Sequence, residues 1–491
     1  MSSRVLIIDL NNFGHYPTLS VGYLTAILRQ NNYQIDLFSP LAHDLAGIVR
    51  EPRPKPWSAI DHYGRYRMAV STSPYIHNIY QLIVNFMRSP IGRNKMKLEA
   101  AIRQALKTSY DAVLVSTYLI YHPLCVLIGQ ICQDKNIPLL IGGSYFSHSE
   151  IVNKWLNVPG VSAIVSGEVE PYLPDIVSAL ISGDELLDFP GLWTPKGGSF
   201  IPPLKDLDSV PFPDYTDFPW ERYQNRIIPM MTSRGCGWGV CPFCSDVTSS
   251  AGRTFRSRTP TNVWAEIKHQ SRLHDSQLFA FLDLKLNSNL DVWHHLIDTF
   301  PKQLQNGRWI ASVHVDRRQS NGLDFDTLHA AHNAGLVRIN TGLESGSQNI
   351  LNHMRKNTQL SKLSRFIHDA HFAGISVRTS VIMGYPGETT DDLAATISFL
   401  EKNGNVIERV ALNRFQLITG TPIHRSLENH NDQHPQLSRF VPNHQQAQIS
   451  YQNEIHKFRD YRHQVWRIIK LVQKINRRPL KPVAEPFLGV M

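Results

Sequence analysis

Two successive series of short apolar runs, each followed by an amphipathic stretch, constrain this chain to an α/β fold. The first series runs from Val5 to about Leu180. VLIIDL and YQIDLFSP read as strands with a helix from Val21 to Gln30 between them; AVLVST and PLLIGG follow, joined by a helix from about Leu124 to Lys135, and VSAIVSGE closes the series. Between about 42 and 96 the rhythm breaks, and EPRPKP with several Tyr and His residues marks an insertion. Residues 181–228 carry FPGLW, IPPLK and VPFPDY and read as a Pro-rich linker. The second series, Ile228 to about Leu427, offers six strands: IPMMTS, LFAFLD, RWIASVHV, LVRINTGLE, ISVRTSVIMG and VALNRFQLI. Six βα units predict a partial barrel, open where eight would close it.

The expected layout is an α/β domain over 1–180, the linker over 181–228, the barrel over 229–430 and a basic, helical C-terminal region over 431–491. A length of 491 residues suits two large domains and a tail, and 42% hydrophobic residues suffice for their cores. The start, MSSRVLIIDLNN, reaches Asp9 after a short apolar run, so it reads as a first strand rather than a secretory signal, and the chain is expected in the cytoplasm. The most apolar region, Asp111 to Gln133, is interrupted by Thr117, Tyr118, His122 and Pro123, and no membrane span is expected. A formal charge of +9 permits an acidic partner without choosing among nucleic acid, anionic lipid and acidic peptide.

Three of the five cysteines fall in one stretch, SRGCGWGVCPFC, as Cys236, Cys241 and Cys244. Thiolates are the natural ligands of iron-sulfur clusters, and three of them leave one iron of a [4Fe-4S] cube open to a further ligand. Gly235, Gly237 and Gly239 let the backbone fold closely around such a group. A zinc site is the alternative, but it usually takes four Cys or His ligands, and His residues from elsewhere would have to complete it. Cys125 and Cys132 sit in an apolar stretch and read as core residues.

With this motif the chain resembles the radical S-adenosylmethionine (SAM) superfamily over nearly all of residues 1–430. The superfamily's common motif has three residues between the first two cysteines, whereas this chain has four. The resemblance implies that SAM chelates the open iron and that an electron from the cluster releases a 5′-deoxyadenosyl radical. It places Phe243 beside the adenine. TGLESGSQ looks like the fourth-strand motif, in which Glu344 meets the polar part of SAM, and VIMGYPGE looks like the fifth-strand motif, in which Gly384 lets the backbone approach adenine. In FLDLKLNSN, Leu284 follows Asp283 where the family usually has a second acid, so backbone carbonyls are expected to hold the SAM amine there. Each downstream motif taken alone also reads as a helix cap or a turn.

The first domain resembles the cobalamin-binding domains that precede many radical SAM barrels, which makes it a Rossmann-like, doubly wound sheet. Corrinoid loops read Asp, x, His, x, x, Gly; here Asp9 and Gly14 keep their places and Asn11 replaces the His. Ser116, the pair Gly142 and Gly143, and Glu168 in VSGEVEPYL complete the match. The resemblance implies bound cobalamin with no His from this loop on its lower face. The alternative is a vestigial α/β domain, and His15 reads as a surface or capping group.

The tail, EIHKFRDYRHQVWRIIKLVQKINRRPLKP, is basic with an apolar component, which suits a helix docked on the barrel or one lying on a membrane surface. No nucleic-acid motif accompanies the charge. The resemblance implies a cobalamin-dependent methyltransferase acting on an unactivated centre of a small molecule or peptide, in natural-product or peptide biosynthesis. The alternatives are a radical oxidation, cyclisation or rearrangement without methyl transfer, and a non-catalytic corrinoid or SAM sensor. An electron donor such as flavodoxin or ferredoxin is implied. Tyr385, His314, Asp316 and Arg414 are substrate candidates that could equally support strand ends.

Overall fold

The structure, a computed structural model, describes residues 3–11, 14–45, 56–71, 79, 95–245, 255–318, 320–429 and 434–490. Much of the expected insertion, with EPRPKP, lies outside these residues.

Continuous apolar runs make the strands of the first sheet because both faces are covered. It contains β1 (Arg4–Asp9), β2 (Gln34–Phe38), β3 (Ala112–Ser116), β4 (Leu139–Gly142), β5 (Val161–Val165), β6 (Leu192–Thr194) and β7 (Gly197–Gly198), in the order β2-β1-β3-β4-β5-β6-β7. The first five are parallel. In β1, Val5 and Ile7 join the core shared with helices Leu19–Gln30 and Leu173–Ser182, while Leu6 and Ile8 join the core shared with helices Lys95–Ala105, His122–Asp134 and Ser149–Trp155. Alternate residues of one strand thus serve opposite faces, and the sheet is doubly wound as expected. The Pro-rich stretch is more than a linker: β6 and β7 lie in it and extend the sheet, β6 antiparallel to β5 and β7 antiparallel to β6.

The second sheet begins at β8 (Ile227–Met230). A two-stranded ribbon, β9 (Ser233–Arg234) and β10 (Arg256–Ser257), follows it. The sheet continues with β11 (Leu278–Phe281), β12 (Arg308–Ser312), β13 (Leu336–Glu344), β14 (Ser376–Met383) and β15 (Arg409–Arg414), all parallel, in the order β15-β14-β13-β12-β11-β8. The six strands stand in sequence order without closing, which is the partial barrel. Helices begin where caps allow: Thr259 accepts from Asn262 N ahead of Pro260–His274, and Thr389 forms a capping box with Asp392 at Thr390–Asn403.

The C-terminal region is helical only in part. Strand β16 (Leu417–Ile418) pairs with a hairpin of β17 (Leu437–Asn443) and β18 (Gln448–Asn453). Helix Arg459–Asn476 buries Tyr461, Val465, Ile468, Ile469, Val472 and Ile475, packing on helix Thr390–Asn403, on β15 and on helix Ala59–Val70. Docking therefore uses the apolar face that a membrane-surface helix would present. Phe487 and Val490 then pack with Ile227, Ala280, Ile310 and Val337 near the strand starts of the barrel, and Arg338 Nη1 donates to Phe487 O at 2.9 Å. No helix among the described residues is long and apolar enough to cross a membrane.

Candidate functional site

At the C-terminal end of β8, Asp283 from the end of β11 fixes the chain before it enters the cysteine loop. Its buried carboxylate accepts from Thr232 N at 3.1 Å, Thr232 Oγ1 at 2.8 Å and Ser233 Oγ at 2.6 Å. Asp283 is thus a strand-end anchor. The loop turns at Gly235 (φ +82°) and Gly239 (φ +54°), conformations that L side chains resist. Cys244 N donates to Cys241 O at 3.2 Å, setting the last two cysteines on one turn, and Trp238 Nε1 donates to Arg355 O at 2.6 Å, hanging the loop on the segment after helix Gln348–His353. All three thiols are half-buried. Burial pushes the Cys241 thiol up, while Lys356 opposes that shift. Cys125 and Cys132 are buried in helix His122–Asp134, as core residues should be.

Against this loop lie the residues predicted for SAM. Glu344, at the end of β13 with φ +59°, has Oε1 2.9 Å from Lys356 Nζ and accepts from Ser380 Oγ at 3.1 Å. Burial alone would lower the Lys356 ammonium, but Glu344, Cys241 and Cys244 hold it above its ordinary value. Lys356 Nζ is 6.0 Å from the Phe243 ring centroid, and Phe243 meets Tyr385 edge-on at 6.2 Å. Cys241, Phe243 and Glu344 are thereby gathered around one cation, Lys356, with Tyr385 against Phe243; sequence reasoning missed Lys356, and only its place a dozen residues beyond Glu344 hinted at it.

Gly384 (φ +72°) bends the chain after β14, with its N–H donating to Glu388 Oε2 at 2.7 Å and its carbonyl accepting from Asn453 Nδ2 at 3.1 Å. The substrate candidates are occupied in the fold. His314 Nε2 donates to Lys356 O at 2.9 Å, Asp316 binds Lys285 at 2.8 Å and Arg318, and Arg414 Nη1 donates to Ser71 O at 2.6 Å beyond helix Ala59–Val70. Tyr385 is buried between Phe243 and Phe415.

In the first domain, strand order reverses between β1 and β3, and the crevice beyond such a reversal is where doubly wound sheets bind ligands. Asp9, Asn11 and Ser116 meet there. Asp9 accepts from Thr18 Oγ1 at 2.7 Å and Asn11 N at 3.0 Å, and Asn11 Nδ2 donates to Ser116 Oγ at 2.9 Å. Asn11 Oδ1 is buried with no hydrogen-bond partner among the described residues. Gly14 lies in a turn, with residues 12 and 13 outside the described set. Gly142 ends β4, and a Cβ on Gly143 would stand 2.3 Å from Thr117 O, so the backbone needs glycine there for its own packing. The His15 ring lies against Gly489 of the C-terminal segment. Glu168 is bound by Arg256 Nη1 at 2.7 Å and Arg234 Nη1 at 3.3 Å, so its carboxylate faces the cysteine loop.

Three thiols on one glycine-bent loop have the chemistry an iron-sulfur cluster takes, although among the described residues no three His, Cys, Asp or Glu side chains are gathered closely enough to hold a metal ion, so the loop would draw its thiols together around the cluster. Asp9, Asn11 and Ser116 stand together at the end of the first sheet where doubly wound folds hold a ligand.

The radical SAM superfamily profile matches residues 230–400. An uncharacterized methyltransferase of Pyrococcus horikoshii is 27% identical over 55% of this chain and 59% of its own length. The anaerobic magnesium-protoporphyrin IX monomethyl ester cyclase of Rubrivivax gelatinosus is 26% identical over 54% of the chain and 50% of its own length. The chain thus spans between half and three-fifths of these two relatives. Among solved structures, the radical SAM methyltransferase TsrM of Kitasatospora setae, with cobalamin and a [4Fe-4S] cluster bound, superposes with a TM-score of 0.64 at 14% identity, covering 90% of this chain and 81% of that one. The cobalamin-dependent SAM radical enzyme OxsB, with aqua-cobalamin and SAM bound, superposes with a TM-score of 0.66 at 15% identity, covering 92% and 64%. Residues 230–400 thus match the radical SAM superfamily, and the fold over most of the chain is that of TsrM and OxsB.

Proposed function

We propose that this chain is a cobalamin-dependent radical SAM methyltransferase acting on an unactivated centre in a small molecule or peptide. The observation that carries the reading is the pairing, on one chain, of a three-thiol loop beside Glu344, Lys356 and Phe243 with a corrinoid-type crevice at Asn11 and Ser116. Cys236, Cys241 and Cys244 would hold a [4Fe-4S] cluster. Glu344, set by Lys356 and Ser380, would receive the amino-acid end of SAM, and Phe243 with Tyr385 would flank its adenine. Asp9, Asn11 and Ser116 would line the lower face of cobalamin, and the β3 and β4 ends at Ser116 and Gly142 would border it. When bound, the cluster supplies the electron for reductive SAM cleavage and cobalamin supplies a methyl carrier. The protein's part is to hold these groups in register and to shield them from water. A reductant protein such as flavodoxin or ferredoxin would deliver the electron. TsrM has been described with tryptophan and a SAM analogue bound, which supports a small-molecule substrate.

A second reading, radical oxidation or cyclisation without methyl transfer, is favoured by the similarity to the Rubrivivax cyclase. Product analysis separates the two. Methyl transfer yields S-adenosylhomocysteine alongside 5′-deoxyadenosine, whereas turnover that yields 5′-deoxyadenosine alone defeats the methyltransferase reading.

A further inference from the structure

Arg234 and Arg256 are cross-strand partners in the ribbon β9-β10, which closes the base of the loop carrying all three cysteines. Two guanidiniums directly opposite each other repel. Their compensation comes from the other domain. Glu168 binds Arg256 through Nη1 at 2.7 Å and Nη2 at 3.0 Å, and Arg234 Nη1 lies 2.6 Å from Glu170 and 3.3 Å from Glu168. The four side chains are 14–23% exposed, so these charges are screened little by solvent. The linker is drawn into the same network, since Leu204 N donates to Glu168 Oε2 and Leu204 O accepts from Arg256, both at 2.9 Å. Burial opposes the charge on Glu168, and Arg256 with Arg234 nonetheless holds its carboxyl below the ordinary value.

We infer that Glu168 and Glu170 are positioning residues through which the α/β domain holds the base of the cysteine loop shut: without their carboxylates, the facing Arg234 and Arg256 push apart the two stems from which the three thiols are carried. This rests on the cysteines being the cluster ligands, but its first readout needs no cluster. Glu168 then serves the loop and not the corrinoid.

The test is amide hydrogen exchange on the metal-free full chain, followed by iron content after anaerobic reconstitution with iron and sulfide. It compares wild type, E168Q/E170Q and the triple variant E168Q/E170Q/R256Q. The double variant is expected to exchange about tenfold faster at residues 233–236 and 256–258 and to bind less iron, because a partly buried ion pair is broken. The triple variant is expected to recover both, because removing one guanidinium removes the repulsion. Unchanged exchange in the double variant, or a triple variant no better than the double, overturns the inference. Should the double variant fail to fold, E168Q against E168Q/R256Q asks the same question. If the exchange pattern holds while wild type binds no cluster, loop closure stands and the cluster reading falls.

Discussion

Lys356 Nζ stands 2.9 Å from Glu344 Oε1, and this pair ties the segment after helix Gln348–His353 to the end of β13 beneath the cysteine loop. Glu344 is 7% exposed, and the Lys356 side chain is 13% exposed. Removing one partner leaves the other charge uncompensated in a poorly solvated place. K356M is expected to destabilise the chain by about 3–5 kcal/mol in urea unfolding and to weaken SAM binding. E344Q keeps a polar group against Lys356 and is expected to cost less stability while weakening SAM binding more.

The cysteines divide by location. C236S, C241S and C244S are each expected to abolish the iron-sulfur absorbance and SAM cleavage after reconstitution, because each removes a thiolate. C125A and C132A are expected to leave iron content unchanged and to cost about 1–2 kcal/mol, since both thiols are buried among apolar neighbours. Iron and sulfide quantification on the five variants checks this.

Glu388 gives a pH dependence. Burial pushes its carboxyl from an ordinary 4.5 up to about 7, against bonds from Tyr461 Oη and Gly384 N that favour the charged form. The folded-state value lies above the unfolded one, so the folded chain keeps a proton that the unfolded chain has lost. The stability this group contributes is full below about pH 4.5 and is lost as pH rises through 7. Between pH 5 and pH 8, urea unfolding of wild type is expected to lose about 2–3 kcal/mol more than that of E388Q.

Ile468 is fully buried in helix Arg459–Asn476. I468A is expected to cost about 2–4 kcal/mol through lost packing on the barrel, measured by denaturant unfolding. An unchanged midpoint would mean that the tail helix is not docked in solution.

The sequence was most legible where one local pattern decides the structure. Val5 to Ile8 is apolar on both faces and reads as a buried parallel strand, and Cys236, Cys241 and Cys244 carry their chemistry in their spacing. It was least legible where pairing is distant. Leu192–Thr194 is three residues long amid prolines and becomes a strand only because β5 offers an edge. The hairpin Leu437–Asn443 and Gln448–Asn453 is mostly polar, contains Pro442, and forms against Leu417–Ile418. Glu168 read as a cofactor contact because its motif follows a strand of the α/β domain; Arg256, which holds it, lies 88 residues away. Lys356 sits outside every motif and matters through Glu344.

The most direct test of the account is anaerobic reconstitution of the full chain with iron, sulfide and hydroxocobalamin, desalting, an absorbance spectrum, and then SAM cleavage under a strong reductant. The account predicts retained corrinoid bands, a cluster absorbance lost in C241S, and both 5′-deoxyadenosine and S-adenosylhomocysteine formed from SAM. A desalted protein that retains the cluster and cleaves SAM but holds no corrinoid would contradict the two-cofactor account, and one that holds neither group would contradict it altogether.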